Sequence, residues 1–182
     1  MIIAIIGEAG SGKDYFVEHL TKKYKKLFHK ITSYTTRPKR DNEEEGKDYY
    51  FTTKEHFLDM IENKSIVEYT EFNGWYYGTH KCELDNNKMI NIGVFDPQGV
   101  RNLIQLGYSV IVFKLHVPDK ERLIRQLNRE EDPDIEEIIR RYQTDKEDFT
   151  NLDFPFISLF NLTKQDLRRN IKRVYQTILD KI

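Results

Sequence analysis

The 182-residue sequence has one cysteine, a formal net charge of only −1 and no long apolar run. The lone Cys82 cannot form an internal disulfide, which excludes a disulfide-stabilised extracellular scaffold and predicts a reducing, cytoplasmic location. The near-zero charge provides no overall basic field, so we expect no nucleic-acid partner. The apolar stretch 1–6 is too short to cross a bilayer and no basic residues precede it, so we expect neither a signal peptide nor a membrane partner.

The composition and the order of apolar segments indicate a folded α/β protein. Aromatic residues make up 13% of the chain, more than a disordered chain usually carries, and the length fits a single domain. Residues 1–6, 89–95 and 109–117 are short apolar runs typical of inner strands in a parallel sheet. Apolar positions at helical spacing follow over 16–27 and 135–142. This alternation predicts an α/β fold with a parallel central sheet.

A small β-rich insert is predicted at roughly 33–80. It contains short β-type runs at 49–53 and 66–72, and the segment 54–63 between them has helical spacing. Near the end of the chain, Thr163-x-x-Asp166 is a capping signal that predicts the start of a last helix.

The first motif follows the first apolar run directly. Gly7-Glu-Ala-Gly-Ser-Gly12-Lys13 has the spacing of a phosphate-binding loop between a strand and a helix. Its glycines let successive backbone N–H groups point at phosphate oxygens beside a helix N-terminus, and Lys13 adds a charge for the β- and γ-phosphates. The alternative is a glycine-rich turn with an incidental lysine. The predicted ATP-binding residues are Gly7, Glu8, Ala9, Gly10, Ser11, Gly12, Lys13 and Asp14.

Asp14 stands where this motif normally has Ser or Thr, whose hydroxyl ligates Mg²⁺. A carboxylate is also a hard oxygen ligand, so we predict that Asp14 binds Mg²⁺. Its negative charge near a triphosphate predicts strict dependence on a divalent ion. Asp14 is equally suited to stabilise the first turn of the helix, where anions are favoured, and the two roles are compatible.

A second motif has the residue types that bind a phosphate monoester. The segment Ser33-Tyr-Thr-Thr-Arg37-Pro-Lys-Arg40 places two arginines three apart, and Tyr49 follows. Guanidinium groups grip phosphate oxygens in pairs, and a tyrosine hydroxyl adds a donor. Taken singly, the arginines are equally explained as surface charges and the tyrosines as half-buried strand aromatics.

With a further segment from Glu68 to Thr79, the chain resembles the guanylate kinase family. The family pattern S-x-T-T-R-x-x-R, G-x-D-Y-x-F, then E and Y-G-T/S occurs here in order and at similar spacing. The resemblance implies a P-loop kinase fold with a nucleoside-monophosphate-binding insert and a helical lid. It divides a single domain, 1–182, into a core at 1–32, 81–126 and 145–182, an insert at 33–80 and a lid at about 127–144.

The resemblance also implies the acceptor-binding residues. Those that hold the phosphate of the nucleoside monophosphate are Ser33, Arg37, Arg40, Tyr49 and Tyr77. Glu68 matches the carboxylate that accepts from guanine N1–H and the 2-amino group, and Thr79 matches the hydroxyl that reads O6. Adenine offers neither donor, so Glu68 would face a lone pair. Glu43 is expected to add a contact to the base or to the phosphate-binding arm.

The run 122–129, the loop Glu130–Pro133 and the pair Arg140–Arg141 resemble the arginine-bearing lid of such kinases. Phosphoryl transfer needs positive charge on the equatorial oxygens once the site has closed. We assign this role to Arg129 and Arg141, with Arg125 as the third candidate. An exposed helix with paired Arg and Glu side chains is the alternative.

The stretch Gly93-Val-Phe-Asp96-Pro-Gln-Gly99 is similar to the family's central strand, which carries two acidic residues two apart. Asp96 keeps one and is expected to orient Mg²⁺ waters or to contact the acceptor. Val94 stands in place of the other, a departure that bears on catalytic efficiency and on guanine specificity. A carboxylate gained at Asp14 would offset the one lost at Val94.

The sequence therefore predicts an enzyme that transfers the γ-phosphoryl group of ATP to GMP or dGMP with Mg²⁺. The alternatives are a kinase of the same fold for another nucleoside monophosphate or a sugar phosphate, and a non-catalytic module that binds a phosphorylated peptide. A regulator that senses or hydrolyses ATP is a further alternative, but it has no use for the acceptor-binding set. Retention of Glu68, Thr79 and Lys13 argues against the first two.

Overall fold

The computed structural model describes residues 1–41, 43–85, 88–129 and 131–182. The chain forms two compact units. The first comprises Met1–Ala4 and Lys25–Ile111, and the second comprises Ile5–Tyr24 and Val112–Ile182. The elements alternate as an α/β protein requires, which confirms the predicted fold class.

The strands are β1 Ile2–Ile6, β2 Phe28–Lys30, β3 Tyr34–Thr35, β4 Tyr50–Phe51, β5 Ile66–Phe72, β6 Trp75–His80, β7 Ile90–Val94, β8 Val110–His116 and β9 Ile157–Phe160. The helices are α1 Lys13–Lys23, α2 Lys54–Glu62, α3 Lys81–Leu84, α4 Pro97–Gln105, α5 Asp119–Leu127, α6 Ile135–Asp148 and α7 Lys164–Leu179.

The larger sheet has five strands in the order β2-β7-β1-β8-β9. The pairs β2–β7 and β8–β9 are parallel, with Phe28 opposite Ile90 and Phe113 opposite Ile157. Every residue of β1 is buried, as the continuous apolar run predicts for an inner parallel strand. This confirms the predicted parallel central sheet and places the end of β1 directly before the glycine loop.

The smaller sheet has four strands in the order β4-β3-β6-β5, within the segment predicted as a β-rich insert. Strands β5 and β6 form an antiparallel hairpin whose two-residue loop is Asn73-Gly74. Both loop residues have positive φ, 56° and 77°, the conformation that the tight turn of a twisted hairpin requires and that Asn and Gly adopt most readily.

Side-chain caps define the starts of several helices. The hydroxyl of Thr163 accepts from Asp166 N–H while the Asp166 carboxylate accepts from Thr163 N–H, so α7 begins with the predicted capping box. Helix α1 ends at Lys23, earlier than the apolar spacing to residue 27 predicts, and a turn at 24–27 leads into β2. In the described ranges, no helix is both long and apolar enough to span a bilayer.

Candidate active site

The glycine loop lies between β1 and α1, as the motif predicts. Gly12 is the N-cap of α1 in a left-handed conformation with φ 84°, and no side chain caps this helix end. In α2, α4 and α7, by contrast, the N-cap side chain accepts from one first-turn N–H. The first turn of α1 instead has backbone donors that suit an anion, together with the partial positive charge of the helix N-terminus.

Two loop glycines are required by close backbone contacts. A Cβ on Gly7 would lie 2.7 Å from the carbonyl oxygen of Leu115. A Cβ on Gly10, whose φ is 79°, would lie 2.5 Å from the carbonyl oxygen of Arg122. The loop therefore packs directly on the backbone of its neighbours, where any side chain would force it to move.

Lys13 folds back over its own loop. Its Nζ donates to the carbonyl oxygen of Gly7 at 2.6 Å and to that of Glu8 at 3.3 Å. Burial is the main cause that lowers the pKa of Lys13 from its ordinary value; the Asp14 and Asp145 carboxylates oppose this, and the charge of Arg141 adds to the lowering. Arg141 on α6 thus lies within electrostatic reach of the loop lysine.

The remaining loop residues are held by contacts with neighbouring elements. Glu8 Oε1 lies 3.6 Å from Lys114 Nζ on β8. The carbonyl of Ser11 accepts from Asn161 Nδ2 at 3.3 Å. Asp14 is exposed in the first turn of α1. The loop is consequently fixed at its base while the Asp14 carboxylate stays accessible.

The lid candidates differ in their surroundings. Arg125 belongs to α5 and donates to the carbonyl oxygens of Gly10, at 3.2 Å, and Leu162, at 2.8 Å. Arg129 is exposed just beyond the end of α5, and Arg141 is half-buried on α6. Glu130, where the predicted lid loop begins, lies outside the described residues. Arg125 thus anchors the glycine loop, and the lid boundaries stay a prediction.

The phosphate-binding candidates of the first unit form one cluster around Arg37. The Nη2 of Arg37 donates to both carboxylate oxygens of Glu43, at 2.7 and 2.9 Å, and its guanidinium lies 5.6 Å from the ring centre of Tyr49. Tyr77 meets Tyr49 edge to face at 6.1 Å. Arg40 contributes its backbone N–H to Glu43 Oε2 at 3.0 Å, and its Nη1 lies 3.9 Å from Oε1.

Glu43 organises this cluster by its charge. Burial alone would raise the pKa of Glu43, but the hydrogen bonds from Arg37 and from Arg40 N–H outweigh burial and lower it. The ionised carboxylate therefore fixes the guanidinium fork of Arg37. Ser33 is half-buried directly before β3, and its carbonyl accepts from Tyr50 N–H at 2.9 Å.

Glu68 and Thr79 are neighbours on β5 and β6. The two residues are register partners, and Thr79 Oγ1 donates to Glu68 Oε1 at 2.6 Å. Glu68 is only 7% exposed, and burial raises the pKa of its carboxyl to about 7, although the Thr79 hydrogen bond acts in the opposite direction. The site thus presents one hydroxyl and one buried carboxyl side by side.

Asp96 is committed to two hydrogen bonds. Its Oδ1 accepts from Gly99 N–H at 2.7 Å and thereby caps α4, and its Oδ2 accepts from Thr70 Oγ1 at 2.7 Å. A ligand of Mg²⁺ would have to share these oxygens. The metal-binding role of Asp96 stays a prediction, and its observed contacts are those of a residue that fixes the start of α4.

Sequence reasoning missed four residues that shape the two sites. A Cβ on Gly99 would lie 2.8 Å from Glu68 Oε2, so this glycine makes room for the carboxyl. Thr70 orients Asp96. Arg122 and Asp145 contact Ala9 from positions 113 and 136 residues away in the chain. Gly99, Thr70 and Arg122 lie in segments that the motifs single out; nothing in the sequence signals Asp145.

The described residues contain no group of three or more His, Cys, Asp or Glu side chains that could hold a metal ion. Mg²⁺ commonly binds through one or two carboxylates together with substrate phosphates and water. The exposed Asp14 at the glycine loop fits such a site, with the phosphates as the other ligands.

Comparison with known proteins agrees with this arrangement. A family model described as guanylate kinase matches residues 1–180. Guanylate kinase 2, chloroplastic/mitochondrial, of Oryza sativa subsp. japonica is 31% identical over 187 residues, 99% of this chain and 64% of the rice protein, so the chain spans less than two thirds of that relative. The guanylate kinase of Mycoplasmoides gallisepticum is 30% identical over 183 residues, which cover 98% of this chain and 92% of that protein.

Two further comparisons concern a human relative and a solved structure. The human guanylate kinase is 32% identical over 151 residues, 80% of this chain and 77% of the human protein. The crystal structure of guanylate kinase from Anaplasma phagocytophilum matches with a TM-score of 0.73 at 22% identity, over 99% of this chain and 85% of that one. At that identity the structural match supports the fold alone.

Proposed function

We propose that this chain, which belongs to the guanylate kinase family, transfers the γ-phosphoryl group of ATP to GMP or dGMP and yields ADP with GDP or dGDP. The observation that carries the proposal is the buried Glu68 carboxyl beside the Thr79 hydroxyl. A guanine edge has two adjacent donors and one acceptor, so it is complemented by the Glu68 carboxylate and by the Thr79 hydroxyl once its single proton turns from Glu68 to O6.

The glycine loop binds the triphosphate. Uncapped N–H groups in the first turn of α1 donate to phosphate oxygens, and Lys13 exchanges its carbonyl contacts for the β- and γ-phosphates. Asp14 holds Mg²⁺, which neutralises charge on the β- and γ-phosphates during transfer. Because Asp14 adds a negative charge beside the triphosphate, ATP binding depends strictly on a divalent ion.

The Arg37 cluster binds the acceptor phosphate. Glu43 orients the guanidinium fork of Arg37, whose cationic face is also covered by the ring of Tyr49. Arg40, Tyr77 and Ser33 complete the set of donors. A preformed fork loses little side-chain entropy when it binds a phosphate, which favours tight binding of the monophosphate.

The lid arginines act on the transferred group. Arg141 lies within electrostatic reach of Lys13 and supplies positive charge near the γ-phosphate, and Arg129 adds a second charge from the end of α5. The protein has no covalent chemistry to perform in such a reaction: positioning and charge stabilisation carry it. We place Arg125 instead among the residues that hold the loop, because both of its amino groups donate to backbone carbonyls.

We also propose a cytoplasmic protein without nucleic-acid or membrane partners. The lone cysteine and the formal net charge of −1 support this.

The test is an ADP-release assay with ATP and a panel of monophosphates, with Mg²⁺ or with excess EDTA. We expect ADP release with GMP and dGMP, none above the water control with AMP, CMP or UMP, and none in EDTA. Lys13→Ala removes the contact with the phosphates. Glu68→Gln replaces one of the two oxygens that accept from guanine with a donor group, so both variants lose activity. A signal with another acceptor alone refutes the guanine assignment. A chain that turns over no acceptor but binds a phosphopeptide is a non-catalytic module.

A further inference from the structure

The peptide of Ala9, the third residue of the glycine loop, is held from both sides by side chains of the second unit. Its N–H donates to Asp145 Oδ2 at 2.6 Å, and its carbonyl oxygen accepts from Arg122 Nη1 at 3.0 Å. The two side chains are themselves paired, with 3.7 Å between Arg122 Nη1 and Asp145 Oδ2. Both backbone groups of one loop residue are therefore satisfied by charged partners.

We propose that Arg122 and Asp145 are positioning residues that hold the phosphate loop in the conformation that binds ATP. The inference rests on the proposed function, since the loop has this task only in a nucleotide-binding protein. Neither residue belongs to the loop motif, to the acceptor-binding set or to the lid arginines. Their action is indirect: they fix Ala9, the Ser11 N–H donates to the carbonyl oxygen of Glu8 at 3.1 Å, and the phosphates are bound by other backbone N–H groups of the loop.

Because Arg122 is buried, the loss of one of its charged partners would be destabilising. Arg122 is 1% exposed and is the largest fully buried side chain of the described residues. A buried guanidinium needs a counter-charge, and Arg122 has those of Asp119 and Asp145, although its Nε has no hydrogen-bond partner. Its Nη2 donates to Asp119 Oδ1 at 2.8 Å, so its two amino groups connect Ala9 with the start of α5.

Asp119 extends the connection to α6. Its Oδ2 accepts from Lys146 Nζ at 2.6 Å and from the Tyr142 hydroxyl at 2.7 Å. Hydrogen bonds from Lys146, Tyr142 and Arg122 lower the pKa of Asp119 well below its ordinary range, so the Asp119 carboxylate stays ionised at physiological pH. Helix α6 thus contacts the loop twice, directly through Asp145 and indirectly through Asp119 and Arg122.

These contacts predict that substitution of Asp145 weakens the binding of ATP and not that of GMP. Removing the Asp145 carboxylate leaves a loop N–H without its acceptor and a buried guanidinium without one of its counter-charges. The loop then samples conformations that do not bind phosphate. The Arg37 cluster and the Glu68–Thr79 pair share no hydrogen bond with Asp145 or Arg122 among the described contacts, so GMP binding is expected to be unaffected.

The experiment is isothermal titration calorimetry of the full chain with ATP in excess Mg²⁺, and separately with GMP. Asp145→Ala is expected to raise the Kd for ATP at least tenfold, the loss typical of a charge-assisted hydrogen bond, and to change the Kd for GMP less than twofold. Asp145→Asn keeps an amide oxygen that accepts from Ala9 N–H, and it should recover part of the ATP affinity. Arg122→Lys keeps the charge without the fork and should lose ATP affinity as Asp145→Ala does.

Glu147→Ala, an exposed acidic position on the same helix, is the matched control and should leave both Kd values unchanged. Equal ATP affinity in the wild-type chain and in Asp145→Ala would overturn this inference and leave the proposed function intact. So would equal losses of ATP and GMP affinity that follow a fall in melting temperature, since that is the signature of general destabilisation. A wild-type chain that binds no ATP would overturn the proposed function, and the inference with it.

Discussion

At the scale of single residues, the acceptor pocket depends on one carboxyl that is buried away from water. Burial raises the pKa of Glu68 to about 7, so the group titrates near neutral pH instead of near its ordinary value of 4.5. Only the ionised carboxylate can accept from two guanine donors at once. In the proposed function, the residue that reads the base is therefore also the residue whose protonation controls whether the base is bound.

We predict that GMP binding weakens as the pH falls below 7. Each pH unit below that value should raise the Kd for GMP about tenfold, because the carboxylate fraction falls by that factor. Calorimetric titration from pH 5.5 to 8.5 measures the effect. Glu68→Gln should bind GMP weakly at every pH, without this dependence. A Kd that does not change between pH 6 and 8 would contradict the assignment.

The same carboxyl should affect stability with the opposite trend. Its folded-state pKa of about 7 lies above the unfolded value of 4.5, so between these values the folded chain binds more protons. Stability then falls as the pH rises through this window, with a cost of about 3 kcal/mol once the pH exceeds 7. We expect Glu68→Gln, which carries no charge, to be more stable than the wild type in urea denaturation at pH 8 and no more stable at pH 4.5. Equal differences at both pH values would refute this.

Gly99 is predicted to be required for tight GMP binding, because it leaves room for the Glu68 carboxyl. A Cβ at this position would lie 2.8 Å from Glu68 Oε2, so Gly99→Ala must displace the carboxyl. We expect a GMP Kd raised about tenfold, consistent with the loss of one hydrogen bond to a charged group, with the Kd for ATP unchanged. The exposed neighbour Gln98→Ala is the control. Unchanged GMP affinity in Gly99→Ala would show that the carboxyl has room to move.

At the scale of elements, the sequence predicts best where a pattern is continuous and local. Strand β1 is an unbroken apolar run, β5 has the predicted bounds 66–72, and α7 begins at the predicted cap. The patterns predict neither helix α4 nor strand β9, and they give a helix in the region of α5 only as the alternative to a lid. Strand β9 has four residues, too few for a pattern, and α5 mixes five charged residues with few apolar ones.

The same limit applies to the site. Motif residues such as Lys13, Arg37 and Glu68 have local spacing that can be read from the sequence. Asp145 meets Ala9 across 136 residues, and only the fold brings them together. A one-dimensional pattern carries no information about such a contact.

The capping box of α7 provides a test of element stability. Thr163→Ala removes the hydroxyl that accepts from Asp166 N–H, and we expect it to destabilise the chain by about 1 kcal/mol. Thr177→Ala, inside the same helix, removes an identical group where Ala is the better helix former and should not destabilise. Urea denaturation compares the two. Equal losses of stability in both variants would mean that the capping box stabilises the chain no more than a threonine inside the helix does.

At the scale of the whole molecule, the residues proposed to bind the two nucleotides belong to different compact units. The glycine loop with Arg122, Arg141 and Asp145 lies in the second unit, and the Arg37 cluster with the Glu68–Thr79 pair lies in the first. A protein that only senses or hydrolyses ATP has no use for the Arg37 cluster and the Glu68–Thr79 pair. A phosphopeptide-binding module has no use for the glycine loop. The account therefore requires both ligands in one reaction.

The most direct test follows the label of [γ-³²P]ATP incubated with the chain, Mg²⁺ and GMP. We expect the label to appear in GDP, in amounts equal to the ADP formed, and Lys13→Ala to abolish the transfer. Label that appears only as inorganic phosphate, at a rate independent of GMP, would contradict the central claim that this chain joins the two nucleotides in phosphoryl transfer.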